Sequence, residues 1–188
     1  MRALRTNDPQ GGAALIVALI LLVVMTLLSL SGVRTVAMGE RMTANTYDRT
    51  LAFQAAEAAL RFGETKAQEQ ADAVPPNKDF SAAGVYSDAD SACATSPCTN
   101  GLCSQPDKDC TDRWRDGAFT GWVNASGLGL TSLVTTPPQY FVEYLGATYP
   151  CDVENPGTGA LCNRYRITAR SNAADRALIV LQSIYATE

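Results

Sequence analysis

The chain has 188 residues, 15 basic and 19 acidic side chains, a net charge of −4, six cysteines and no histidine. That length holds one domain of ordinary size, or one domain plus a membrane element. Without histidine there are no Ser-His or Cys-His nucleophilic dyads, no histidine metal sites and no imidazole acid–base chemistry. The acidic balance also lacks a nucleic-acid-binding footprint.

Residues 1–12 carry Arg2 and Arg5 against Asp8 and end in Gly11-Gly12. An apolar run then starts abruptly: from Ala13 to Leu30 only Thr26 and Ser29 interrupt it. As a helix it extends roughly 27 Å at about 1.5 Å per residue, close to the ~30 Å hydrocarbon thickness of a bilayer. The basic residues before it predict a cytoplasmic amino terminus. The six cysteines are then exported, where three disulfides are expected. A secretory signal peptide cleaved after Ser29-Leu30-Ser31 is one alternative, although its apolar core is shorter than this run. The glycine pair abutting the span resembles a prepilin leader. That resemblance implies cleavage by prepilin peptidase between Gly12 and Ala13, and methylation of the new terminus.

Helical periodicity continues beyond the span. Val33, Ala37, Ala44, Tyr47, Leu51, Ala55, Ala58 and Phe62 form one stripe, with Glu40 the exception. Five basic and five acidic residues alternate between Arg34 and Glu69, and no proline occurs from Gly11 to Val74. The expected helix covers 13–71, with 13–31 membrane-spanning; Gly32, Gly39 and Gly63 are candidate bends. The strings G-E-R-M-T-A-N at 39–45 and D-R-T-L-A-F-Q-A-A-E-A-A-L-R at 48–61 resemble the PilX-type minor pilins of type IV pili. Major pilins carry a glutamate at the fifth mature position, which pairs with a neighbouring subunit's terminal amine. Here that position is Val17.

Residues 72–188 are expected to form the exported domain. Cys93, Cys98, Cys103 and Cys110 crowd into a Pro-, Asp-, Ser- and Gly-rich stretch with no Cys-x-x-Cys, so structural bridges are expected and zinc or redox spacing is not. Three pairings of this quartet stay open. Strands are predicted over Tyr140–Leu145, Arg164–Arg170 and Ala177–Tyr185. In the second, Tyr165, Ile167 and Ala169 face one way and Arg164, Arg166, Thr168 and Arg170 the other; the arginines are expected to face solvent. The strings C-T-N-G-L-C, P-Q-Y-F-V-E-Y-L-G and Y-R-I-T-A-R again resemble the PilX-type family. The resemblance implies that Cys151 and Cys162 pair to close a loop, worth about 3 kcal/mol by loop entropy.

Other sites are weak. Asp107, Asp109 and Asp112 lack the glycine and final glutamate of an EF-hand loop. Asn124-Ala125-Ser126 is a bare sequon, and no G-x-S-x-G, S-x-x-K, Walker or dinucleotide string occurs. The expected fold is α+β and pilin-like: one long amino-terminal helix packed on a small antiparallel sheet with disulfide-stapled loops. The expectation is a structural subunit with no enzymatic activity, cofactor or metal. It would help initiate a type IV pilus or sit at its tip. The implied partners are other minor pilins, the major pilin, the inner-membrane assembly platform and a tip adhesin. The subunit would wait in the inner membrane with its carboxyl-terminal domain in the periplasm, then move to the pilus. A minor pseudopilin of type II secretion and a single-span anchored periplasmic binding domain are the alternatives.

Overall fold

The computed structural model describes residues 11–82, 98–105, 110–130, 136–152, 154–157, 159–172 and 176–188. Residues 1–10, and with them Arg2, Arg5 and most of the expected leader, lie outside that set. Helix α1 spans Gly11–Ala71 without a break, so none of its glycines interrupts it. A five-residue helix, α2, follows at Lys78–Ala82. The strands are β1 (Cys98–Thr99), β2 (Leu102–Cys103), β3 (Val123–Asn124), β4 (Gln139–Pro150), β5 (Leu161–Arg170) and β6 (Val180–Thr187), with a 3₁₀ turn at Arg113–Arg115.

The chain divides into two compact units, 1–47 and 48–188. In the first, every described residue from Gly12 to Tyr47 is exposed, leaving Arg34 aside. The second unit contains the sheet, in the order β1-β2-β4-β5-β6, with β3 also pairing with β4. The antiparallel meander β4-β5-β6 matches the expected strands, and β4 runs on to Pro150 with register shifts around Gly146. The sheet is mixed, however, because β2 joins β4 in parallel. The small elements of 98–124 were not among the predicted strands. One signal for them was available. Asn100 and Gly101 both have positive φ, at 52° and 81°, in the two-residue turn joining β1 to β2; Asn-Gly is the commonest pair for such a turn.

The inner face of the sheet packs against residues 59–71 of α1. Alternation along β5 puts Tyr165, Ile167 and Ala169 there, all fully buried, beside Tyr140, Val142 and Tyr144 of β4. The helix offers Ala52, Ala55, Ala56, Ala59, Ala67 and Ala71. The buried face of the helix is rotated from the predicted stripe: Leu51 and Ala55 are buried in a separate cluster with Leu130, Ala58 and Phe62 are only half-buried, and Val33 and Tyr47 are exposed. Gly63 lies at the closest approach. A Cβ there would stand 2.5 Å from Ile167 Cγ2 and 3.2 Å from Tyr140 Cδ2.

Gly63→Val should therefore destabilise the domain by about 1–3 kcal/mol through overpacking. Gly39→Ala, in open space, should instead gain up to ~1 kcal/mol in helix propensity. Denaturant unfolding of the two variants checks this. An equal effect of both would remove the close-packing assignment.

Candidate functional site: the exposed apolar helix and the stapled sheet

The sequence-predicted processing residues lie at the start of α1. Gly12 and Ala13 occupy its first turn, and Val17, 56% exposed, sits one turn on from Ala13 on the same face. Leu15, Ile16, Leu19, Leu22, Leu28 and Leu30 are all at least 60% exposed. α1 is long and apolar enough to cross a membrane. The polar interruptions of the apolar run are internally satisfied. Thr26 Oγ1 donates to the Val23 carbonyl and Ser29 Oγ to the Met25 carbonyl, each at 2.8 Å. Further along, Thr35, Thr43 and Thr46 donate in the same way to carbonyls one turn back. Such hydroxyls can sit in a nonpolar environment at little cost, because none is left without an acceptor.

The cysteines of the exported domain act as staples. Cys98 and Cys103 are directly opposite across the β1–β2 pair and joined by a disulfide, and Cys151 is joined to Cys162. Cys110 is also disulfide-bonded; Cys93 lies outside the described residues. Within the 151–162 loop, Asp152 accepts from Asn155 Nδ2 and from the backbone N–H groups of Glu154 and Asn155. The Asn155 side chain, chiefly, and those backbone groups hold the Asp152 carboxyl below its ordinary range. Of the aspartates weighed for calcium, Asp107 and Asp109 lie outside the described residues, and Asp112 faces Arg115 at 3.8 Å.

The outer face of the sheet holds a cluster that the sequence reading missed. Glu143, 1% exposed, is ion-paired with both Arg113 and Arg166, the latter at 2.6 Å. Arg113 also donates to the Ser104 carbonyl at 3.0 Å and to Ser104 Oγ at 2.8 Å. One carboxylate thus ties the β4–β5 pair to β2 and to the 3₁₀ turn. Burial works against the charge on Arg166, but its hydrogen bond to Glu143 and their mutual attraction outweigh that and raise its pKa. The visible signal was a lone glutamate inside the otherwise apolar Y-F-V-E-Y-L. The β5 arginines are likewise not simply solvated. Arg164 lies over the Tyr149 ring at 4.7 Å, and Arg170 over Trp122 at 4.1 Å. On the inner face burial, chiefly, pushes the Tyr165 hydroxyl far above its ordinary range. It remains a donor to Asn77 Oδ1 at 2.5 Å.

A long helix that is apolar and exposed at one end, and seated by small residues on a disulfide-stapled sheet at the other, defines a pilin-like α+β subunit. The PilX N-terminal family model matches residues 10–61, and the type IV pilus assembly protein PilX C-terminal model matches residues 99–187. The chain belongs to the PilX family of type IV pilus assembly proteins. That membership gives it the role of a structural minor pilin, associated with other pilins and the pilus machinery. No curated protein and no solved structure matches the chain.

Glu143→Ala should cost about 3–5 kcal/mol in unfolding free energy, because it leaves Arg113 buried without its counter-charge. Arg115→Ala, on the exposed side of the same turn, should stay within about 0.5 kcal/mol. Asn155→Ala should raise the Asp152 pKa in a carboxyl NMR titration. Since the folded pKa is depressed, the Asp152 contribution is present above the unfolded pKa and lost as pH falls through the folded one. An unchanged titration would remove Asn155 as the cause.

Proposed function

We propose that this subunit helps to initiate, or sits at the tip of, a type IV pilus. In this reading 1–12 is a leader cut by prepilin peptidase between Gly12 and Ala13, and Ala13 becomes the methylated terminus. Residues 13–31 hold the subunit in the inner membrane with its amino terminus cytoplasmic. The domain 72–188 stands in the periplasm until assembly carries it to the cell surface. The observation that carries the reading is Val17, exposed on α1 where a shaft subunit has a glutamate.

Two physical consequences follow from Val17. An uncompensated carboxylate in a bilayer is costly, up to about 3 kcal/mol at its centre, so its absence eases the wait in the membrane. The same absence removes the contact by which a subunit docks beneath one already in the fibre. A subunit with nothing above it does not need that contact. Its lower neighbours are then other minor pilins and the major pilin, delivered by the inner-membrane platform, and its free upper side is available to a tip adhesin.

Mass spectrometry of the mature protein should find an amino terminus at methylated Ala13; a terminus at Gly32 would establish a secretory signal and sink the reading. In sheared pili the subunit should be far scarcer than major pilin, and its deletion should abolish fibres while leaving protein secretion intact. Val17→Glu should lower assembly if no amine lies above it. Uniform decoration of shafts by labelled subunits would refute the tip position.

A further inference from the structure

Within residues 48–71, helix α1 is held in two stages. From Ala59 to Ala71 it lies on the sheet, where Ala59, Ala67 and Ala71 share one core with Tyr140, Val142, Tyr165 and Ile167. Leu51 and Ala55 belong instead to a separate small cluster, completed by the half-buried Leu130. Beside it is a narrow, mostly apolar cleft lined by Leu51, Ala52, Ala55, Pro138, Asn172 and Arg176. The residues that cover the helix here, Leu130, Pro138, Asn172 and Arg176, all lie outside the strands. Leu130 follows Gly127 and Gly129, both at positive φ, where an added Cβ would meet nothing within 4 Å. A small apolar cluster covered by loop residues is held less firmly than a core closed by a sheet.

A carboxylate fastens this first stage. Asp48 accepts a hydrogen bond from Arg176 Nη1 at 2.9 Å and another from the Ala177 backbone N–H at 3.0 Å. The Ala177 carbonyl accepts from Ser171 Oγ, which in turn accepts from the Ile179 backbone N–H. One charged group on the helix is thereby linked to residues that directly follow β5 and directly precede β6. The Asp48 and Arg176 side chains are 29% and 35% exposed, so dissolved salt reaches and screens their attraction.

We propose that residues 48–55 of α1 form a unit that opens independently of the sheet-held core, with Asp48 as its clasp. Closed, the helix is uncovered up to Tyr47; open, it is uncovered for two more turns, to Ala55. The surface added is apolar. Leu51 and Ala55 fall, at helical spacing, on the same stripe as the exposed Val33 and Tyr47. Opening therefore lengthens the apolar stripe that α1 presents, and the clasp sets how much of it the subunit shows. The stage beyond stays closed, because Gly63 lies against Tyr140 and Ile167 and the neighbouring alanines are packed on the sheet.

The test is hydroxyl-radical footprinting of the full chain, disulfides intact, in detergent micelles, read by peptide mass spectrometry. Phe53, already exposed on the same stretch of helix, normalises the radical dose. In the native chain, raising sodium chloride from about 0.05 M to about 1 M should increase oxidation of Leu51 and Leu130 roughly twofold. Asp48→Ala should raise both by about fivefold or more, since it removes both hydrogen bonds to the carboxylate. Asp48→Asn and Arg176→Gln lose the ion pair but keep an acceptor for the Ala177 N–H, so each should raise them less. Tyr140, Tyr165 and Ile167 should stay unchanged throughout. A rise that includes those three by the same factor would make 48–71 one cooperative unit and overturn the proposal. Unchanged Leu51 oxidation in Asp48→Ala, at every salt concentration, overturns it equally. Should Asp48→Ala not fold, the salt series on the native chain and on Arg176→Gln decides by the same criteria. The free subunit alone is measured, so this result stands or falls apart from the processing and abundance tests of the pilus role.

Discussion

The contact at Gly63 sets the terms for the rest of the exported domain. Sixty-one residues of α1 contribute mostly alanine to the core, and the sheet contributes the bulk through Tyr140, Tyr144, Tyr165 and Ile167. Small side chains on the helix let it lie close enough for those rings to fill the gap from one side. Tyrosine suits this arrangement because its apolar body fills the interface while its hydroxyl reaches a polar edge. Tyr165 reaches Asn77, Tyr144 reaches Asn163 and Tyr185 reaches Gln68. The segment after α1 is folded back by the same network, since Asn77 donates to Asn163 and its backbone N–H donates to the Gln70 carbonyl. Phe80 then stacks beside Tyr144 and Tyr165 and closes that end of the core.

The outer face solves a different problem. A stretch with few large apolar residues must be laid across a sheet that the helix already covers on its other side. Phe119, Trp122 and Phe141 supply a small aromatic patch in edge-to-face contact. Beyond that patch the work falls to polar groups. Removing Glu143, Arg113 and Arg166 from water is costly, and such pairs stabilise little over an apolar alternative. Their value here is in specifying register. Glu143 is opposite Cys103 in the parallel β2–β4 pair and opposite Arg166 in the antiparallel β4–β5 pair. A slip of β2 by one residue would turn Cys103 away from the ladder position where Arg113 also grips Ser104. The disulfide closes the hairpin, and the ion pairs decide where the closed hairpin docks.

This division explains which parts were legible in the sequence. The apolar run, the charge-laced helix and the three long strands each carry their own period, and they end close to where the pattern does: Ala71 closes α1 as expected. The rotation of the buried face away from Ala58 and Phe62 was not legible. Periodicity marks apolar side chains, whereas this interface selects for small ones, and a glycine at its centre reads as a helix breaker. The β1–β2 hairpin was signalled by Asn100-Gly101 but lay inside a cysteine-rich stretch too short in apolar residues to read as strands. Its parallel pairing with β4 depends on Arg113, ten residues further on, and no local pattern announces such a contact. For the arginines of β5, strict alternation gave the face correctly and misjudged what lay over it.

The two parts of α1 differ in what keeps them helical. From Leu51 onward the helix is buried against the exported domain, beside Leu130 at first and against the sheet from Ala59. Between Gly12 and Tyr47 no described side chain is buried, and Gly32 and Gly39 reduce intrinsic propensity. Helical stability in proteins comes mainly from packing an apolar face, and among the described residues this segment buries none. In a bilayer the backbone must satisfy itself internally, which a helix does; the back-bonded hydroxyls of Thr26 and Ser29 fit that medium. Past the apolar run, Glu40 and Arg41 share the surface with exposed Val36, Met38 and Met42, and the helix is no longer apolar enough for a nonpolar medium. A helix of this kind suits the association with other pilins that membership of the family implies.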